Sequence, residues 1–368
     1  MSSSATGSST SASSAGRPFC LVKSSINIDE TFLVPHIVRP GETMSSTGLV
    51  SRPGGKGANV SAAIALAGAK VSFSGAVGKD APWPLDELKS RKVITDDAEI
   101  LENTPTGRAF IQIAEDGENS IVLLKGANFA TDSKSADPVK AWTSNAERRI
   151  THLVLQNEIP LETTIAFLQH AKSDKVDNHV TTIFNPSPML SKDQVQQFPW
   201  TSIDVLVLNE GESFDLLRVL QPSAASSLES LSEGVERSRK VLETLSSLEQ
   251  LRNTAWVVLT RGGQGVMANV LLADGSEKRE FFNVPPFKPK QVRDTTGAGD
   301  TFAGNLVAAL MGHNVHADES LVESARPKEA KFVEEALKWA ARAASLACEK
   351  EGAMQSIPSA DEVKARAE

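Results

Sequence analysis

The sequence predicts an α/β fold, with a central, mostly parallel sheet flanked by helices and a small β-sheet beside it, on three observations. From residue 150 onward, short and continuously apolar runs alternate with helical stretches. Strands of that kind are covered on both faces, which is how parallel sheets are built. Two β-prone segments, near 29–50 and 106–125, stand apart from this rhythm, and two glycine-rich stretches each open a helix-like run.

Taken in order, residues 1–18 are almost all Ser, Ala, Thr and Gly and are expected to be a tail that buries too little to order itself. A transit peptide would carry several arginines, and none precedes Arg17. Residues 19–368 are read as one folded domain. The apolar run 19–22 is a buried strand. Polar sequence with Pro35, Pro40 and Pro53 leads to an alanine-rich helix over 58–67, closed by Gly68 as a C′ residue. A strand follows over 71–77. The runs 108–113 and 120–124 flank an Asp116-Gly117 pair, a hairpin signal. Further strands are predicted at 152–155, 181–184, 205–208 and 256–259, and a Ser/Leu/Glu-rich surface helical stretch at 222–252. No internal repeat is present.

Composition narrows the function. With 38 Lys+Arg against 46 Asp+Glu the net charge is −8, and no basic run supplies the surface that nucleic-acid binding needs. No window approaches the ~18 consecutive apolar residues of a membrane helix, so a soluble protein is expected. Tyrosine is absent and the six histidines are scattered, which argues against a His-built zinc site. The two cysteines, Cys20 and Cys348, suit a reducing compartment; the expected location is the cytoplasm, with the nucleus admissible as well.

The chemistry concentrates in the two glycine stretches. Gly54-Gly55-Lys56-Gly57-Ala58-Asn59 opens the alanine-rich helix. Asp294-Thr295-Thr296-Gly297-Ala298-Gly299-Asp300 opens a helix carrying Phe302, Leu306, Val307 and Leu310. Glycines at a helix N-terminus let backbone N–H groups approach an oxygen-rich ligand. Neither stretch fits the phosphate loop, since Val50 and Gly57 occupy its key positions, nor the dinucleotide fingerprint. Either alone is explained more simply by a tight connection. The second holds more: Asp300 falls in the first helical turn beside the amides of Gly297, Ala298 and Gly299. A base next to an anion trap is what phosphoryl transfer to a hydroxyl requires. A dipole-stabilising first-turn acid is the plainer role for the same residue.

Eight separated motifs, in order, carry a resemblance: Ser25-Ile26-Asn27-Ile28-Asp29; Gly54 to Asn59; Thr106-Gly107-Arg108-Ala109; Gly126-Ala127-Asn128; Asn185-Pro186-Ser187-Pro188; Asn209-Glu210-Gly211-Glu212; Thr260-Arg261-Gly262-Gly263-Gln264-Gly265; and Asp294 to Asp300. From about residue 19 to about 360 the chain resembles the ribokinase-like (phosphofructokinase B type) carbohydrate kinases. The resemblance implies ATP-dependent phosphorylation of D-ribose at O5, giving D-ribose 5-phosphate and ADP. Asn27, Asp29, Gly55, Lys56, Asn59 and Glu158 would hold the sugar. Asp300 would be the base, and Gly297, Ala298 and Gly299 the anion hole.

Asn209, Thr260, Gly262, Gly265 and Gly299 would line the ATP site, with adenine resting on aliphatic groups and backbone for want of tyrosine. Glu212 would organise Mg²⁺ through water. Asp294, Thr296, Ala347, Lys350, Gly352 and Ser356 would surround K⁺, mostly through backbone carbonyls; a C-terminal helix ending at Gly352 explains that glycine equally well. The family's lid would correspond to the segments near 29–50 and 106–125 and would also form a homodimer contact. Other sugar or nucleoside kinases of the same architecture, acting on fructose or adenosine, remain open. So does a sugar-binding regulator, although that would have no use for Asp300. Two departures stand out. Ser24 replaces a frequent glycine, and Ala81-Pro82-Trp83-Pro84 is expected to disturb a helix start.

Overall fold

The computed structural model describes residues 18–273, 275, 278–316, 321 and 324–366. Apart from Pro18, the Ser-rich stretch lies outside them. Strands β1 (Cys20–Lys23), β2 (Asn27–Val34) and β3 (Gly48–Gly54) lead into α1 (Lys56–Leu66). Then come β4 (Val71–Ser74), β5 (Ala76–Gly78), α2 (Trp83–Ser90), β6 (Glu99–Leu101), the hairpin β7 (Gly107–Ala114) and β8 (Asn119–Leu124), and α3 (Pro138–Ser144). The second half runs β9 (His152–Gln156), α4 (Leu161–Ala171), β10 (Thr181–Asn185), α5 (Lys192–Gln197), β11 (Val205–Asn209), α6 (Glu210–Leu220), α7 (Pro222–Glu229) and α8 (Val235–Ser247). It closes with β12 (Trp256–Thr260), β13 (Val266–Leu271), β14 (Arg279–Val284), α9 (Ala298–Leu310), α10 (Ala330–Ala347), α11 (Ala353–Ser356) and α12 (Ala360–Ala365).

Among the described residues, the main sheet has the order β14-β13-β12-β11-β10-β9-β1-β4. It is parallel from β4 to β12, and only β13 and the edge strand β14 pair antiparallel. The mostly parallel α/β class is therefore borne out. Its strands alternate between two buried faces with period two. Leu21, Leu153, Leu155, Leu206, Leu208, Val257 and Leu259 point into one core, under α4 to α8. Cys20, Val22, Val154, Val205, Val207, Trp256 and Val258 point into the other, under α1, α9 and α10. A strand with two dry faces favours apolar residues at every position, hence the continuous apolar runs of the central strands, whose buried polar residues His152, Gln156, Thr181 and Thr182 stand at the strand ends.

A second sheet, order β3-β2-β7-β8, is formed by the two β-prone segments. Its β7–β8 hairpin turns through Gly117 at φ +89°. Its two edge strands stay open: Leu49 on β3 and the consecutive Ile121, Val122 and Leu123 on β8 are all more than half exposed.

Several local expectations needed correction. The apolar run 71–77 is two strands in different sheets, split at Gly75, where a Cβ would lie 2.5 Å from Phe73 Cζ and 2.8 Å from Ser24 O. The 222–252 stretch breaks into α7 and α8 at Gly234. The C-terminal helix ends at Ala347 rather than Gly352, which at φ +83° instead starts α11. Proline does not disturb α2, because Pro84 occupies its first turn, where backbone N–H groups have no helical partner.

Ser24 lies under the start of α1, where a Cβ on Gly57 would stand 2.4 Å from Ser24 Cβ and 2.8 Å from Ser25 O. Gly57→Ala is therefore expected to destabilise the fold by about 1–3 kcal/mol through overpacking. Adding Ser24→Gly should recover part of that loss. Urea unfolding measures both, and a Gly57→Ala protein as stable as wild type contradicts the packing.

Candidate active site

Parallel strands deliver their carboxyl ends to one edge of the sheet, and ligands of such folds bind where consecutive connections diverge. Here that point lies between β1 and β9, whose neighbours in sequence run to opposite sides. The residues following these two strands meet there: Ser25 Oγ donates to Glu158 Oε2, and the same oxygen accepts from the Lys56 N–H at 3.0 Å. Glu158 thus pins the start of α1 to the end of β1.

The glycines of this turn answer to packing. Gly54 lies opposite Asn27 in the β2–β3 ladder. A Cβ on it would meet the Asp29 carboxylate at 2.2 Å, and one on Gly55, at φ +90°, would meet Asn27 N at 2.9 Å. Both therefore serve close approach to the two residues expected to hold sugar. Asn27 is further fixed by Asn128, whose Nδ2 donates to Asn27 Oδ1 at 2.7 Å and whose Oδ1 accepts from Ile26 N at 2.9 Å. Gly107 leaves the room for that pair, since its Cβ would stand 2.3 Å from both side chains. The Thr106-Gly107-Arg108-Ala109 and Gly126-Ala127-Asn128 motifs, to which sequence reasoning gave no task, thus form the mounting of Asn27.

Asn59 and Asp300 join the two glycine motifs. Asn59 Nδ2 donates to Asp300 Oδ2 at 2.9 Å, and both residues are buried. Asn59 Oδ1 has no partner although buried, so the site holds an acceptor aimed at a donor the protein does not supply. Four carboxylates, Asp29, Glu158, Glu212 and Asp300, act on one another or on a single ammonium, Lys56. Burial pushes the Asp300 carboxyl up, Lys56 and the Asn59 amide oppose this, and Glu158 and Glu212 add to the rise; the result is upward. Asp29 is pushed up to about 6 by burial and by Glu158 and Asp300. Burial works to lower the Lys56 value, but Asp300, Glu158 and Glu212 outweigh it and the ammonium is held above its ordinary range.

Gly297 caps α9 in the left-handed region, φ +74°, a conformation that turns the following amides toward the helix mouth. Asp294 braces the turn. Its Oδ1 accepts from Thr296 N at 2.9 Å and Thr296 Oγ1 at 2.6 Å, and its Oδ2 accepts from Gly352 N at 2.9 Å. Burial would raise its carboxyl, but these bonds and the charge of Arg52 hold it below the usual range. Of the residues expected around K⁺, Asp294, Thr296 and Gly352 are thus directly joined. Ala347 accepts from Lys350 N at 3.2 Å on the intervening turn, the Lys350 side chain turns away to Glu362, and the Ser356 hydroxyl donates to Ala353 O.

On the far side of Gly299 opens a cleft of about 330 Å³, lined by Thr260, Gly262, Gly265, Val266, Pro286 and Phe287, with Phe302, Ala341, Ala344 and Cys348 opposite. The expectation of a purely aliphatic wall is corrected, because Phe287 and Phe302 contribute rings. Asn209 does not line this cleft. It forms a capping box with Glu212, its Oδ1 accepting from Glu212 N and its own N–H donating to Glu212 Oε2, each at 2.9 Å.

The model of the pfkB family carbohydrate kinases matches residues 18–360. A ribokinase of Haemophilus influenzae is 30% identical over 344 residues, covering 93% of this chain and 95% of its own. Among solved structures, the ribokinase of Cryptococcus neoformans var. grubii serotype A in complex with ADP superposes with a TM-score of 0.78 at 39% identity, over 95% of this chain and 99% of that one. The ribokinase of Arabidopsis thaliana complexed with ribose and ATP does so with a TM-score of 0.71 at 25% identity, over 95% and 98%.

The raised Asp29 value has a consequence for stability. A carboxyl that holds its proton more tightly folded than unfolded weakens the fold as pH rises from the unfolded value, 3.8, through the folded one, about 6. Asp29→Asn is therefore expected to stabilise the ligand-free protein by up to about 3 kcal/mol at pH 7.5, with the gain shrinking toward zero near pH 4. Chemical denaturation at the two pH values checks this; a destabilised or pH-indifferent variant contradicts the cluster.

Proposed function

This chain belongs to the pfkB family of carbohydrate kinases and is an ATP-dependent carbohydrate kinase, and from that premise we propose that it phosphorylates D-ribose at O5, giving ribose 5-phosphate and ADP. The observation that carries the reading is the meeting of the two glycine motifs at the Asn59–Asp300 hydrogen bond. It joins Asn59 to Asp300, and in this reading Asn27, Asp29, Gly55, Lys56, Asn59 and Glu158 hold the polyol beside that bond. The cleft from Thr260 to Cys348 lies on the other side of the α9 N-terminus. The ribose and ATP named for the Arabidopsis relative suit these two sides.

In this reading Asp29 and Asn27 accept and donate to sugar hydroxyls, and Asn59 Oδ1 finds the donor it lacks. A polyol analogue missing one hydroxyl would leave such a buried group unpaired, which is how the site discriminates. Asp300 takes the proton of the attacking hydroxyl. Lys56 and the Asn59 amide favour its ionised form, while burial, which raises the carboxyl, makes it a stronger base than a surface aspartate. The amides of Gly297, Ala298 and Gly299, with the helix dipole behind them, receive the charge spread over the transferred phosphoryl oxygens.

The donor set fits the two expected cations. Glu212 uses Oε2 in its capping box, leaving Oε1 for a water of Mg²⁺, which needs few protein carboxylates. Asp294 engages three of about four lone-pair sites, leaving one beside the carbonyls of the 347–356 segment for K⁺. When bound, these ions offset phosphate charge. The edge strand β8 of the small sheet exposes Ile121, Val122, Leu123 and Leu124, and the opposite edge strand β3 exposes Leu49 and Val50, apolar edges of the kind that proteins cover. We assign them to a homodimer in which the sheet also closes over the sugar as a lid. Its two free cysteines, Cys20 and Cys348, suit the reducing cytoplasm in which we place the enzyme.

An ADP-release assay across D-ribose, fructose and adenosine tests the substrate, and best turnover on anything but ribose would sink the claim. On ribose, Asp300→Ala should lower kcat by ~10²–10⁴ with little change in ribose affinity; near-intact turnover removes Asp300 as the base. For assembly, Val122→Lys combined with Leu123→Glu should turn a dimer into a folded monomer by light scattering. A monomeric wild type or a dimeric variant contradicts the assignment.

A further inference from the structure

Arg52 is the side chain by which the small sheet reaches the segment that braces the glycine turn. It stands on β3 directly opposite Asp29 of β2, and such cross-strand partners share one face of the sheet. Arg52 Nη2 reaches Glu351 Oε2 at 3.4 Å. The same side chain lies over Gly352, where a Cβ would be 3.1 Å from Arg52 Nη1 and 3.2 Å from Arg52 Cδ. The Gly352 N–H donates to Asp294 at 2.9 Å, and the next residue, Ala353, leaves no room for a Cβ on Gly297, which would sit 2.8 Å from its Cα and Cβ. An unbroken run of contacts thus leads from the strand that carries a sugar-facing carboxylate to the N-cap of α9.

We propose that Arg52 is a positioning residue that couples sugar binding to nucleotide binding. When the small sheet is seated over the sugar, Arg52 holds residues 351–353 against the glycine turn and so presents the α9 N-terminus to the incoming phosphate. The inference rests on the reading above, in which Asp29 contacts sugar and Gly297 to Gly299 meet phosphate. Coupling of this kind is reciprocal, so the sugar tightens the nucleotide by the factor with which the nucleotide tightens the sugar. A largely exposed ion pair contributes little to folding, and the effect sought is therefore on the coupling factor rather than on stability.

Isothermal titration of Mg²⁺ with a non-hydrolysable ATP analogue, with and without saturating D-ribose, reads that factor. In wild type, ribose should tighten the analogue about 5-fold or more. In Arg52→Ala the factor should fall below about 2-fold with the melting temperature unchanged, Arg52→Lys should restore part of it, and Glu351→Gln should lower it less than Arg52→Ala. A wild-type factor near one, or an Arg52→Ala protein that keeps the full factor, overturns the proposal. Failure of the ribose reading shows itself separately, as the absence of heat when ribose alone is titrated. The sugar chosen by the turnover assay then takes its place in the same cycle.

Discussion

The close approach of α1 and α9 is the constraint from which the site follows. Both helices begin with a glycine turn, and both must bring their N-termini to one point for Asn59 and Asp300 to bond. Two helices normally sit 8–10 Å apart, set by the side chains between them. Here the seam is made of alanines and glycine. A Cβ on Gly304 would lie 2.5 Å from Ala63 Cβ and 2.8 Å from Val60 O, so even one methyl is too many. On its other side α9 is fixed to α10 by Trp339, whose indole N–H donates to Asn305 Oδ1 at 2.9 Å. The alanine content of α1 is therefore a functional constraint expressed as packing. Bulk at the seam would part the sugar side from the phosphate side.

Bringing these helices together gathers charges that would rather be apart. Asp29, Glu158, Glu212 and Asp300 share the neighbourhood of Lys56, and without ligand one ammonium and a few amides must hold them. The raised Asp29 and Asp300 carboxyls are the record of that arrangement: part of the folding free energy is held there as unfavourable charge. A sugar whose hydroxyls donate to these oxygens relieves it, so ligand and fold stabilise one another. Lys56 is held protonated by the same carboxylates and remains a cation while the base beside it changes state.

Much of this was legible, and what was not has identifiable causes. The strands at the centre of the sheet read clearly because Leu and Val alternate between two dry faces, with buried polar residues such as His152, Gln156, Thr181 and Thr182 kept to the strand ends. The split at Gly75 did not, since its reason is the close approach of the Phe73 ring and of the sequence-distant Ser24 carbonyl, which no apolar pattern reports. Gly352 read as a helix end because glycine with positive φ serves equally to stop one helix and to start the next. Strands β13 and β14 went unread; β13 is antiparallel yet wholly buried, so the usual alternation is missing. In the site, the residues to which chemistry is assigned stood out by the glycine motifs and by the family resemblance. Their supports, Asn128, Ser25 and Arg52, did not, because an amide, a hydroxyl or a surface guanidinium acquires its task only from a partner far off in sequence.

A chain of net charge −8 that handles ATP cannot draw it in by overall charge. Long-range fields set encounter rates and are screened within about 10 Å at moderate salt, whereas bound-state contacts act below that distance. In the proposed reading the protein meets phosphate with backbone amides instead, and amides have to be aimed. The aim of the glycine turn is set by three things: the left-handed conformation of Gly297, the Asp294 carboxylate that ties its two flanks, and Ala353 packed against its Cα. Two of these belong to or depend on the 351–356 segment, which itself touches the small sheet through Arg52. An anion site built from backbone is thus only as good as the segment behind it. On the proposed reading, that gives the C-terminal turn a direct part in where the phosphate lies.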